Sequence, residues 1–188
     1  DPAWAPALEA LLAHKGGLWT WQNSQALRAD TGLDAKFYVL HRNSEPFANV
    51  SIFSIGGVGI LGHVWTCPRD RRKGASDRLM ESALKDFASH GGRALFLGTE
   101  PAGVAHDLYV RYRFTDVDSV GHMAWYAESR TAFEREWFAG SAMTIERLMW
   151  RHWPAAAPLF MAEGPGVVRC APLQVFWPDL VEGPLLPA

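Results

Sequence analysis

The chain has 188 residues, of which 48% are hydrophobic and 20% charged, with a formal net charge of -2. Those values exclude a disordered chain, fit one domain or one domain with an appendage, and argue against nucleic-acid binding by counterion release. Two cysteines, Cys67 and Cys170, make neither a disulfide framework nor a paired metal pattern, which fits a reducing, cytoplasmic setting. No apolar run is long enough to span a bilayer and no secretory pattern is present, so neither a membrane nor a nucleic acid is expected as a partner. The chain begins at Asp1 rather than at a methionine, as expected of either a fragment or a renumbered chain.

Taken in order, Pro6 to His14 reads as a short helix with Leu8, Leu11 and Leu12 on one side and Gly16-Gly17 as its stop. Leu18 to Trp21 fits strand or loop, and Gln22 to Ala29 a second short helix. Lys36 to His41 is a strand, Arg42 to Glu45 a turn, and Asn49 to Ile55 an alternating, half-buried strand closed by Gly56-Gly57. Ile60 to Cys67 is an apolar run of strand length ending at Pro68, which cannot donate to a ladder. A basic loop follows, Arg69-Asp70-Arg71-Arg72-Lys73-Gly74, and then an amphipathic helix. Ala75, Leu79, Met80, Ala83, Leu84, Phe87 and Ala88 form its apolar stripe, and Gly91-Gly92 ends it.

Strand, glycine-containing basic loop and helix start form an anion-binding arrangement. The first turn of a helix has N–H groups without intrahelical partners and carries the positive end of the macrodipole. A glycine at Gly74 lets a phosphate approach the backbone closely. Neither a Walker A nor a GxGxxG pattern is present.

Arg71-Arg72-Lys73-Gly74-Ala75-Ser76 resembles the Arg/Gln-x-x-Gly-x-Gly/Ala signature of the GNAT acyltransferase superfamily, in which this loop binds the pyrophosphate of acyl-coenzyme A. The Val-x-x-x-Pro ending of the preceding strand, Val64 to Pro68, matches too. Downstream, after the strand Arg93 to Gly98, the positions Ala105, Leu108, Tyr109 and Phe114 resemble the superfamily's second motif, Asn-x-x-Ala-x-x-Leu-Tyr-x-x-x-Gly-Phe. Three positions depart from the pattern: Ser76 for Gly or Ala, Ala102 for Asn, and Arg113 for Gly, so that the helix before Phe114 is expected to close differently. The resemblance covers roughly residues 34–127.

The resemblance implies an α+β, GNAT-like acyl-CoA N-acyltransferase fold, with a mixed, mostly antiparallel sheet flanked by helices. Residues 1–128 would be the core and 129–188 a helical and strand extension packed on the same domain. The superfamily's usual first strand is not legible before the opening helix. Acetyl-CoA is the implied co-substrate, held by Val64, Trp65, Thr66, Arg71, Arg72, Lys73, Gly74, Ala75 and Ser76. One or two of the basic side chains are expected to help and the others to be solvated. The implied activity is acetyl transfer to a primary amine by direct attack, the acceptor being a small molecule or a peptide. A domain that keeps the coenzyme A cradle without turnover is the alternative, and a homodimer is left open.

Acyl transfer to an amine needs a base for the amine, donors for the thioester oxyanion and an acid for the departing thiolate. Backbone N–H groups near Val64 and Trp65 suit the oxyanion. Tyr109 holds the superfamily's acid position, against the plainer reading of a core aromatic. Glu100, just beyond the strand facing the cofactor, is the candidate base, or else a solvated loop acid or helix cap. His63 reads more readily as a satisfied core group than as a base, His106 as exposed, and His122 as either cleft wall or packing. Cys67 reads as a small buried residue. Most of the nine tryptophans read as core filling, with an aromatic-lined acceptor pocket as the functional alternative.

Val117 to Ala127 reads as the next strand, and Thr131 to Phe138 and Thr144 to Trp153 as helices, the latter broken by Pro154 and Pro158. A turn at Gly164 to Gly166, an edge strand over Val167 to Phe176 and a loose tail complete the chain.

Overall fold

The structure is a computed structural model that describes residues 2–140 and 144–161. The expected turn at Gly164, the strand over Val167 to Phe176 and the tail lie outside the described residues. Six strands form one sheet: β1 (Asp34–Arg42), β2 (Glu45–Ile55), β3 (Val58–Thr66), β4 (Ala94–Gly98), β5 (Thr115–Asp116) and β6 (His122–Tyr126), in the order β1-β2-β3-β4-β6-β5. Every neighbouring pair is antiparallel except β3 and β4. That one parallel pair requires a crossover, supplied by the amphipathic helix α3 (Ala75–Ser89). Among the described residues no strand precedes the first helix, α1 (Ala5–Leu12).

The two faces of the sheet carry separate cores. On one face α3 and α4 (Val104–Arg111) cover Ala48, Val50, Ile52, Leu61, Leu95, Leu97, Met123 and Trp125, with Leu79, Met80, Ala83 and Phe87 from α3 and Leu108, Tyr109 and Phe114 from the α4 region. Lys36 Nζ and the Tyr38 hydroxyl both donate to Asp86 Oδ2, at 2.8 and 2.6 Å, and tie β1 to the last turns of α3. On the other face Phe53, Ile60, Phe96 and Ala124 pack with Phe133 of α5 (Arg130–Trp137) and with Trp153, Ala157 and Met161 of α6 (His152–Met161). The described part of the segment after residue 128 therefore completes the second core.

Three elements differ from expectation. The Leu18 to Trp21 run and the short helix after it are one helix, α2 (Gly17–Arg28). It starts where Gly16 adopts φ +95°, and both the N–H and the hydroxyl of Thr20 bond to the Gly16 carbonyl. Residues 144–149 carry no helix. The helix begins instead at His152, with Pro154 in its first turn, where a missing N–H costs nothing. The strand expected from Val117 is shorter because Asp118 Oδ1 accepts from the N–H groups of Val120 and His122, a side-chain turn that separates β5 from β6.

Candidate active site

β3 and β4 pair only through Val58, Gly59 and Ile60 against Ala94, Leu95 and Phe96. Beyond those rungs β3 runs on to Thr66 and β4 to Gly98 without further pairing, so the sheet opens as a V. The cause lies in β3. Asn49 faces Trp65 and Ser51 faces Gly62, so His63 and Val64 together oppose the single residue Val50. This is a β-bulge, with His63 at φ +52°, and a bulge bends its strand and raises its twist. Asn49, fully buried on β2, fixes it by donating from Nδ2 to the His63 carbonyl at 3.0 Å and to Ser51 Oγ at 2.9 Å. Backbone groups of β3 beside Val64 and Trp65 are left facing the opening.

At the mouth of the V the basic loop enters α3. Gly74 is the N-cap at φ +75°, and nothing lies within 4 Å of where its Cβ would be. The first turn of α3 is thus open to an anion. Ser76 accounts for its departure from Gly or Ala: its hydroxyl meets Thr66 Oγ1 at 3.2 Å and ties the helix start to the end of β3. The basic residues divide their work. Arg71 lies over the Trp65 ring at 4.6 Å and donates to the Thr66 carbonyl, and Lys73 donates to the Arg69 carbonyl at 2.6 Å. Arg72, at φ +58°, has no side-chain partner among the described residues.

The loop is held by a residue the sequence did not single out. Asp70, 3% exposed, takes a two-bond contact from Arg42 at 2.9 and 3.1 Å and further contacts from Lys73 and Arg69. The Arg42 guanidinium, with Lys73, holds its carboxyl down at about 2. The only signal for this was a lone acid inside a run of bases.

Tyr109 lies on α4, buried in the core under α3, with its ring tilted against Phe114 at 5.7 Å. The end of α4 closes in a Schellman motif, Phe114 N–H to the Tyr109 carbonyl and Arg113 N–H to that of Val110. The expected change in closure does not occur, because Arg113 adopts the left-handed conformation, φ +68°, that a glycine would take. Ala102 is likewise left-handed at φ +57°. Glu100 is exposed just past β4, and its carbonyl accepts from Gly103 N–H ahead of α4.

On the opposite face the bulge directs His63 toward α2. Its ring meets the edges of Trp19 and Phe53 at 5.7 and 5.9 Å. Burial pushes its pKa down to about 3, helped by the positive charge of Lys15 and by His14, so this imidazole stays neutral. Trp65 is covered by the stacked ring of His14 at 3.7 Å. His122, 3% exposed, sits opposite Gly98, just past the last rung joining β3 to β4, and its Nδ1 is 2.6 Å from Asp118 Oδ2. Burial would raise the Asp118 carboxyl; bonds from the His122 ring and from backbone N–H groups outweigh it and hold it below the usual range. The partnership of Asp118 with His122, four residues apart around a turn, was not read from the sequence. His106 bonds instead to exposed Asp116 on the outer strand, at 2.9 Å. Cys67 is a half-exposed free thiol beside the loop.

No protein-family model and no curated protein sequence matches the chain. Solved structures do match in fold. The ribosomal-protein-S18-alanine N-acetyltransferase from Escherichia coli superposes with a TM-score of 0.54 at 15% identity, over 75% of this chain and 93% of that one. A GNAT-family protein from Desulfovibrio desulfuricans gives 0.55 at 13% identity, over 65% and 91%. A third, from Lactobacillus plantarum, gives 0.51 at 17%, over 66% and 90%. The chain has the GNAT N-acetyltransferase fold. Among the described residues no helix is long and apolar enough to cross a membrane.

Proposed function

We propose that the protein is an acyl-CoA-dependent N-acyltransferase that moves an acetyl group from acetyl-CoA to a primary amine. The observation that carries this reading is the opened pair β3 and β4 leading to an uncapped helix start, with Gly74 left-handed and its front clear. The pyrophosphate suits the N–H groups of Gly74, Ala75 and Ser76 with Arg72 beside them. Arg71 and Lys73 shape the loop through Trp65, Thr66 and Asp70. The pantetheine arm suits the unpaired edge of β3 from Val64 to Thr66, whose backbone amides offer it partners of the kind a neighbouring strand would.

In this reading the amine nitrogen attacks the thioester carbonyl from the His63 face, forming the C–N bond as the C–S bond breaks. N–H groups of β3 near Val64 and Trp65 stabilise the developing oxyanion. The Tyr109 hydroxyl gives its proton to the departing thiolate. The amine's proton goes to Glu100, directly or through water, or to His122. The neutral imidazole of His63 is too weak a base for that step. A carboxylate-held ring such as His122 is the arrangement in which acyl-transfer bases are oriented, so His122 is weighed beside Glu100.

The test is calorimetric titration with acetyl-CoA together with an assay of released thiol. Gly74→Glu puts a carboxylate into the phosphate cradle and strains a left-handed position, and binding should vanish. Tyr109→Phe should leave the cofactor dissociation constant unchanged and lower kcat about a hundredfold. Unimpaired turnover by Tyr109→Phe would remove the acid role, and no binding by the unmodified chain would remove the enzyme assignment. Parallel Glu100→Gln and His122→Gln variants separate the two bases through their pH–rate profiles.

A further inference from the structure

At the end of the sheet away from the phosphate loop, a cavity of about 150 Å³ lies between β1, β2 and the last turn of α3. Asp34 and Ser54 line it and are direct partners across the two strands, with Lys36 opposite Ile52 as the next pair on the same face. Phe87, His90 and the turn at Gly56-Gly57 close it. The 15 residues of α3, about 22 Å of helix, separate it from the N-cap at Gly74, so it is not the acyl-transfer site. Ser54 is 8% exposed, and its hydroxyl has no hydrogen-bond partner among the described residues. Its cross-strand partner on β3 is Gly59, which has no side chain to offer one.

Buried polar groups in native proteins are nearly always paired, so a partner for Ser54 is to be sought inside the cavity. The surrounding charge decides its sign. Lys36 is already engaged: its Nζ donates to Asp86 Oδ2 at 2.8 Å and lies 3.6 Å from Asp34 Oδ2. The Tyr38 hydroxyl donates to the same Asp86 oxygen, and His90 turns Nδ1 to the Asp86 carbonyl at 2.8 Å. Arg93, whose guanidinium reaches the Gly56 carbonyl, is paired with Glu136 at 3.3 Å. Two carboxylates, Asp34 and Asp86, therefore share one ammonium, and the C-terminal end of α3 adds the negative pole of its dipole. The cavity favours a positive charge.

We propose that this cavity is a second binding site, for a small organic ammonium ion held by Asp34 and Ser54 with its carbon chain against Phe87 and Ile52. It stands independently of the acyltransferase reading above. Side chains directly opposite on antiparallel strands have Cβ atoms about 5 Å apart, so one ammonium reaches both the Asp34 carboxylate and the Ser54 hydroxyl. Its three N–H donors match a carboxylate and a hydroxyl that accept. Phe87 and Ile52 give the chain an apolar wall, and a volume of about 150 Å³ suits a molecule near the size of benzene.

The test is an NMR titration of the full chain with n-butylammonium chloride, with sodium butyrate and butan-1-ol as controls of matching length. Butylammonium should shift the amide signals of Gly57 and Gly92 saturably, and the anion and the alcohol should not. Asp34→Asn should raise its Kd about tenfold, as loss of a charged hydrogen bond does. Ser54→Ala should raise it about fivefold without lowering the melting temperature, because the hydroxyl it removes is unpaired in the free protein. Equal shifts with butan-1-ol would reduce the cavity to an apolar crevice and overturn the proposal. Shifts confined to residues 62–66 would put the amine at the acyl-transfer site instead and overturn it too, while leaving the acyltransferase reading standing. An unchanged Kd in both variants, or no saturable shift at Gly57 and Gly92, would have the same result.

Discussion

The two faces of the sheet are built by different means. On the face under α3 and α4, the residues that shape the site are contiguous: Thr66 to Ser76 supplies strand end, loop and helix start, and Val104 to Phe114 supplies the helix that carries Tyr109. The opposite face is assembled at long range from α2, the bulge in β3, the start of β6 and the segment after residue 128. Contiguous construction suits a ligand whose phosphate always asks for the same backbone donors. Long-range construction lets the second face vary without disturbing the first.

If both faces belong to one cooperative unit, damage to either should be felt by the whole. Trp153 is 4% exposed and its ring packs against Phe53 at 5.3 Å. Trp153→Ala should cost about 3–5 kcal/mol, as large-to-small changes in a core do. Leu79→Ala, under α3, should cost about 2–5 kcal/mol. Thermal or denaturant unfolding followed at two wavelengths should show one transition for both variants. Two separate transitions for Trp153→Ala would mean that the segment after residue 128 is an independent unit, and the comparison of faces would become one between domains.

Asp70 tests whether the contiguous face owes its shape to the loop alone. Asp70→Asn removes the charge that gathers Arg42, Arg69 and Lys73 while leaving Gly74 and the helix start in place. Acetyl-CoA affinity should fall about tenfold, the effect expected when a charged hydrogen bond that orders a site is lost. The pH dependence follows from the depressed carboxyl. Its folded pKa of about 2 lies below the ordinary 3.8, so the contribution to stability is complete above the ordinary value and is lost as pH falls from there through about 2. Asp70→Asn should flatten the acid limb of the stability curve in that window. An unchanged limb would place the ordering of the loop elsewhere.

What could be read from the chain follows the same division. The loop, α3, α4 and the position of Tyr109 were legible because period, glycine position and motif spacing are local properties. The opening of β3 from β4 was not, since it depends on a register slip against β2 and on the buried side chain of Asn49. The run Leu18 to Trp21 alternates like a strand, yet it is helical because Gly16 starts a helix and Trp19 finds His63. Pro154 reads as a breaker and acts as part of a helix start, a distinction that turns on which turn of the helix it occupies. Asp70 and Asp118 gain their roles only when partners distant in sequence, or set across a tight turn, are brought to them.

The smallest effect bears on the contiguous face and on the departures from its motif. α3 and α4 end in the same Schellman closure. In α3, Gly92 N–H bonds to the Phe87 carbonyl and Gly91, at φ +81°, takes the left-handed position. In α4 that position belongs to Arg113 at φ +68°. A side chain there crowds the following carbonyl and costs about 1–2 kcal/mol relative to glycine. Arg113→Gly gives up part of that gain to the freer unfolded chain and should stabilise the protein by about 1 kcal/mol, with acetyl-CoA affinity unchanged. Gly91→Arg should destabilise it by a similar amount, so the pair of variants is its own control. If Arg113→Gly instead weakened acetyl-CoA binding, the arginine would have a ligand to hold, and the strain at its backbone would be the cost of placing that charge beside the cofactor.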